Sequence, residues 1–132
     1  MTLNSTAAIT FFYYRDLAAA AEFYEQALGL RLVDNQGWAK IYRIHGTAYL
    51  GIVEGKRGFC QPRDENAVLL TLVVGDVDDW YAKLIDRGVR VLRAIETHED
   101  IHVRCFFVQD PGGYPVEIQT FLEPSVAKEF GL

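Results

Sequence analysis

The stretch Asp110-Pro-Gly-Gly-Tyr-Pro-Val-Glu-Ile-Gln119 decides how this chain is read. Asp-Pro-Gly-Gly is a turn: Pro fixes φ, the Asp side chain can bond the backbone ahead of it, and the two glycines accept positive φ. The flanking runs 103–108 (VRCFFV) and 114–119 (YPVEIQ) are strand-like, so the stretch is the bend of a β-hairpin. Its second strand carries one carboxylate, Glu117, between Val116 and Ile118, and alternation puts Glu117 on the opposite face from both. Facing a pocket, Glu117 would sit at the floor of a site. Facing solvent, it would be an ordinary surface charge, the commoner fate of a lone glutamate.

Upstream of this hairpin, residues 67–74 (AVLLTLVV) read as a strand. Asp76 caps a helix with Asp78 and Asp79 in its first turn and Arg87 in its last, the charge order that the helix dipole favours. Val77, Trp80, Tyr81 and Leu84 form its buried stripe, Gly88 stops it, and residues 89–92 make a further strand. A polar loop is expected over residues 96–100.

The same order occurs earlier. Residues 7–14 (AAITFFYY) are a covered strand, Asp16 caps a helix over 17–28 with Leu17, Ala20, Ala21, Tyr24 and Leu28 as its stripe, and Gly29 ends it. Short strands follow at 30–33, 38–44 and 48–53. Asp16 and Asp76 are 60 positions apart and Gly29 and Gly88 are 59 apart, so the halves register with one gap. The expected fold is α+β: two βαβββ modules, 7–53 and 67–122, forming a curved mixed sheet around a cavity. A linker at 54–66, long enough to lie over a pocket, joins them, and a tail at 123–132 follows.

The 132 residues are half hydrophobic and 13% aromatic, enough for one packed core or two small halves. A net charge of −5 with no basic run speaks against a nucleic-acid surface. No apolar run reaches membrane length, the first residues have no basic signal-like region, and two cysteines make neither a disulfide framework nor a zinc signature. A soluble cytoplasmic protein is expected.

On these residues the chain resembles the vicinal oxygen chelate superfamily, which includes glyoxalase I, extradiol dioxygenases, fosfomycin-resistance thiol transferases and bleomycin-resistance proteins. The matching stretches are Arg15-Asp-Leu, Glu22-Phe-Tyr and Leu28-Gly-Leu30 in the first half, with Gly75-Asp-Val-Asp78 and Asp110 through Ile118 in the second. The resemblance implies the glyoxalase/bleomycin-resistance-like fold and favours a homodimer. It also implies metal ligands on the first and last strand of each half. Those positions fall on Ile9, Gly51, Leu69 and Glu117, and only Glu117 can bind a metal. Zinc sites use about three protein ligands and facial-triad iron sites two His and a carboxylate. The resemblance is therefore closer to the metal-free, bleomycin-resistance-like members, and no cofactor is expected. The alternative is a divalent metal such as Zn, Ni, Mn or Fe held unconventionally.

His98 and His102 would need a helix to converge on a metal, and residues 101–104 read as strand. His45 sits in a hairpin turn, and Cys60 in the linker beside Lys56, Arg57 and Arg63 has no base in view. Cys105 is expected on the face away from Glu117, as a small core residue.

Pairing the last hairpin across Asp110 to Gly113 puts Arg104 and Phe106 with Glu117 and Gln119. The corresponding turn in the first half sets Trp38, Lys40 and Tyr42 opposite Tyr49 and Gly51. Phe11 and Tyr13 share Ile9's parity, and Thr71 and Val73 share Leu69's. The expected ligand-binding set is thus Phe11, Tyr13, Trp38, Lys40, Tyr42, Tyr49, Thr71, Arg104, Phe106, Glu117 and Gln119, suited to an aromatic or amphipathic organic ligand. The leading expectation is a metal-independent small-molecule-binding protein. A glyoxalase-like lyase, isomerase or dioxygenase with Glu117 as catalytic base or metal ligand is the alternative, and an interaction module docking through the linker and the tail is the third.

Overall fold

The computed structural model describes residues 2–132 and divides after Asp64 into two compact units. In the first, strands β1 (Ala8–Tyr14), β2 (Arg31–Asn35), β3 (Ala39–His45) and β4 (Ala48–Glu54) form one sheet in the order β1-β4-β3-β2, with β1 and β4 parallel. In the second, β5 (Leu70–Val73), β6 (Arg90–His98), β7 (Val103–Gln109) and β8 (Pro115–Phe121) repeat that order as β5-β8-β7-β6, with β5 and β8 parallel. The two βαβββ modules expected from the duplicated pattern are both present, and the fold is α+β.

Each helix begins at its expected aspartate. The Asp16 carboxylate accepts from Ala19 N at 3.0 Å at the start of α1 (Leu17–Glu22), and Asp76 accepts from Asp79 N at 3.0 Å at the start of α2 (Val77–Asp86). Gly29 and Gly88 follow with φ of 69° and 74°, a conformation that glycine adopts without Cβ strain. The one-residue difference between the halves has a structural form. Helix α1 passes into a π-helical turn, Phe23–Ala27, in which Leu28 N bonds Phe23 O, so the extra residue is absorbed as a wider turn.

In the first unit α1 and its π turn cover the sheet face carrying Phe12, Tyr14, Tyr42, Leu50 and Ile52, all essentially buried. Tyr42 donates to Glu25 at 2.7 Å, and burial together with that carboxylate pushes the Tyr42 phenol well above its usual range. In the second unit α2 covers Phe106, Val108, Val116 and Ile118, with Tyr81 meeting Phe106 edge-to-face at 4.9 Å. A last helix, α3 (Pro124–Glu129), forms in the tail, and Phe130 after it stacks on Phe121 at 4.5 Å.

The two largest departures from the expected strand boundaries lie in the second unit. Strand β6 runs nine residues, to His98, through two register shifts, so the polar segment after residue 95 is largely strand. Strand β5 begins only at Leu70. Among the described residues no helix is long and apolar enough to cross a membrane.

Candidate functional site

The face of the second sheet opposite α2 carries Glu117, the candidate carboxylate. Parallel pairing sets Thr71 beside Glu117, and the Thr71 hydroxyl donates to Glu117 Oε1 at 2.8 Å. Antiparallel pairing sets Phe107 opposite Glu117 and Cys105 opposite Gln119. The Cys105 thiol lies beside the Glu117 carboxylate, and burial followed by that carboxylate pushes its pKa up to about 11. Glu117 is 9% exposed, and the Thr71 hydroxyl meets its carboxylate inside a mostly apolar surround. A carboxylate offers about four lone-pair sites, so the Thr71 bond leaves acceptor capacity for a ligand.

Strand β6 supplies the rim of this face. Arg93 pairs with Phe107 and lies over its ring, 5.4 Å from the centroid, while Glu96 pairs with Cys105. His98 pairs with Val103, and its Nε2 is 3.4 Å from Glu96. His102 adopts φ of 53° in the turn before β7. Among the described residues no three His, Cys, Asp or Glu side chains are grouped to hold a metal ion.

The expected site residues separate by strand. Thr71, Glu117 and Gln119 share the face opposite α2. Phe11, Tyr13, Tyr49 and Gly51 share the corresponding face of the first sheet, together with Ile9. Arg104 and Phe106 do not join Glu117. Arg104 lies on the α2 side, where it donates to Asp78 at 2.7 and 3.0 Å and to Thr97, and holds the Asp78 carboxyl below its usual range. Lys40 and Tyr42 pair with Ile52 and Leu50 on the face that α1 covers, so neither belongs with Gly51. Trp38 falls just before β3, with the Arg57 guanidinium 5.6 Å from its ring centre.

The cause is turn length. The Asp110 carboxylate accepts from both Gly112 N and Tyr114 N at 2.9 Å, and Asp110 N bonds Tyr114 O. Tyr114 therefore belongs to a five-residue turn, which shifts the facing of β7 by one residue. In the first half a register shift between Arg43 and His45 plays the same part. Cys105 and Phe107, expected on the other face, are the residues this correction brings to Glu117. The carboxylate of Asp110, closing its own turn onto Tyr114, is the sequence signal that points to them.

Three of the four residues at the positions where the resemblance places metal ligands offer no side-chain ligand. Ile9 and Leu69 have no donor atoms. At Gly51 any side chain would have to displace an aromatic ring, because a Cβ there would lie 2.2 Å from Phe11 Cδ1. In the linker, a Cβ on Gly58 would meet Val53 Cγ1 at 2.6 Å and Tyr13 Cε1 at 2.7 Å, so this segment packs against the same face of the first sheet.

Two βαβββ modules, each with its parallel outer pair and a carboxylate at the family position of the last strand of the second, define a class. Residues 3–118 match the model of the glyoxalase/bleomycin resistance protein/dioxygenase superfamily, and the chain belongs to that superfamily. No curated protein matches it. Among solved structures it is similar to a glyoxalase/bleomycin resistance protein/dioxygenase from Nocardioides, with TM-score 0.76, 18% identity and coverage of 93% of this chain and 87% of that one. It is also similar to lactoylglutathione lyase from Agrobacterium tumefaciens, with TM-score 0.71, 19% identity and coverage of 89% and 95%. TioX from Micromonospora sp. ML1 gives TM-score 0.74, 15% identity and coverage of 89% and 100%. At these identities the likeness is one of fold.

Proposed function

We propose that the protein is a metal-independent small-molecule-binding member of this superfamily, holding an aromatic or amphipathic organic ligand against the face of the second sheet opposite α2. The observation that carries this reading is the placement of Glu117: a nearly buried carboxylate, bonded by Thr71 and flanked by Phe107 and Cys105. Ile9, Gly51 and Leu69, at the other family positions, offer no ligating atom. A carboxylate so placed orients a ligand through a hydrogen-bond donor or an amine, and Phe107 offers a ring for stacking. Gln119, on the same face, adds a donor and an acceptor.

The test is calorimetric titration of chelator-treated protein with planar aromatic amines, 9-aminoacridine first. Saturable binding without added metal, weakened about tenfold or more by Glu117→Gln, supports the reading. Binding that appears only when zinc is added overturns it. Turnover of a family substrate that Glu117→Gln abolishes would give the lyase or dioxygenase alternative the lead.

A further inference from the structure

In the first unit an open cleft of about 420 Å³ is lined by Arg31 on β2, by Arg43 and His45 on β3, and by the backbone at Gly29 and Gly46. Arg31 and Arg43 are directly paired across the two antiparallel strands. Like charges placed opposite one another destabilise a strand pair, and this chain, with 18 acidic residues against 13 basic ones, has acids to spare for neutralising them. Among the described residues neither arginine is so neutralised. Arg15, Lys83, His98 and Arg104 do form ion pairs with acids. Arg43 Nε donates to Gly46 O at 2.9 Å, which pins its guanidinium at the hairpin turn and leaves its terminal nitrogens for another partner. Gly29 and Gly46 have φ of 69° and 55°, and a Cβ on either would meet nothing within 4 Å, so both glycines border open space.

We propose that this cleft binds a phosphoryl-bearing small molecule, with Arg31 and Arg43 together taking one phosphate dianion. Two fork-shaped guanidiniums match the two charges and the peripheral oxygens of a phosphoryl group better than they match a single carboxylate. The cleft volume lies within the range of small-molecule sites, leaving room for an organic portion beyond the phosphate. The proposal concerns residues of the first unit only and stands whether or not the reading of Glu117 holds.

The experiment is a thermal-shift titration of the full chain with inorganic phosphate, pyrophosphate and citrate, each against chloride at constant ionic strength. Wild-type protein should show a saturable rise in Tm with phosphate, at lower concentration with pyrophosphate. Arg31→Gln, at a side chain with no partner among the described residues, should melt higher than wild type in chloride, because the repulsion is relieved, and should lose the phosphate response. Arg43→Gln should lose it too. Absence of a saturable response in wild type, or an equal response in Arg31→Gln, overturns the proposal. A citrate response as strong as that to pyrophosphate overturns the phosphoryl assignment in favour of a polycarboxylate.

Discussion

The ring of Phe11 lies over the backbone of Gly51, its cross-strand partner, so closely that a Cβ on Gly51 would fall 2.2 Å from Cδ1. One of the family's ligand positions is thereby occupied by an aromatic ring from the neighbouring strand. Phe11 is 41% exposed, so its ring can swing outward if pushed. We expect Gly51→Ala to destabilise the protein by about 1–3 kcal/mol, the ordinary cost of overpacking. In the Phe11→Ala background the same substitution should cost much less, and a double-mutant cycle in urea measures the difference.

Thr71 holds the Glu117 carboxylate through a single hydroxyl. Thr71→Val keeps the shape and removes the hydroxyl that bonds Glu117. A loss of about 1–3 kcal/mol is expected, with Thr71→Ser closer to wild type. Chemical denaturation at neutral pH checks both variants.

Cys105 gives a pH signature. Its pKa in the folded protein is raised from 9.0 to about 11 by burial and by Glu117. A raised folded-state pKa contributes stability that is fully present below the unfolded value and is lost as pH climbs through the folded one. Stability should therefore fall between about pH 9 and 11 by something on the order of 2–3 kcal/mol attributable to this thiol. Tyr42, also shifted upward, adds to the decline in the same direction. Comparing the alkaline slopes of wild type and Cys105→Ala separates the two, and equal slopes would contradict the Cys105–Glu117 contact.

Asp110 governs which residues face the site. Its carboxylate accepts two backbone N–H groups and is 4% exposed. Asp110→Ala should cost about 2–3 kcal/mol through the lost charge-assisted bonds and the buried N–H groups left behind. Asp110→Asn, which keeps one acceptor oxygen, should cost less. Because this turn sets the register of β7 against β8, Asp110→Ala should also weaken ligand binding beyond its effect on stability, which titration well below the melting temperature can show.

Much of the fold was legible because its signals are local. Asp16, Asp76, Gly29 and Gly88 mark helix ends through their own backbone chemistry. The facing of β1, β4, β5 and β8 was also legible, since Phe11 with Gly51 and Thr71 with Glu117 follow from alternation within parallel pairs. The antiparallel partners were not, because their facing depends on the residue count of a turn. Tyr114 looks like the first residue of a strand yet closes the Asp110 turn, and that single residue exchanges Arg104 and Phe106 for Cys105 and Phe107. Strand β6 was missed in part because its charged residues between bulges resemble a loop in sequence and become strand only by pairing with β7. The π turn of the first helix was visible only as a one-residue difference in spacing.

The most direct measurement is the metal content of the purified protein by elemental mass spectrometry, before any chelator is added. With Ile9, Gly51 and Leu69 at three of the four family positions, we expect well under one equivalent of Zn, Ni, Mn or Fe per chain, and 9-aminoacridine binding unchanged by chelation. One tightly held metal per chain, lost together with ligand binding when Glu117 is replaced by Gln, would contradict the metal-independent reading and make Glu117 a metal ligand.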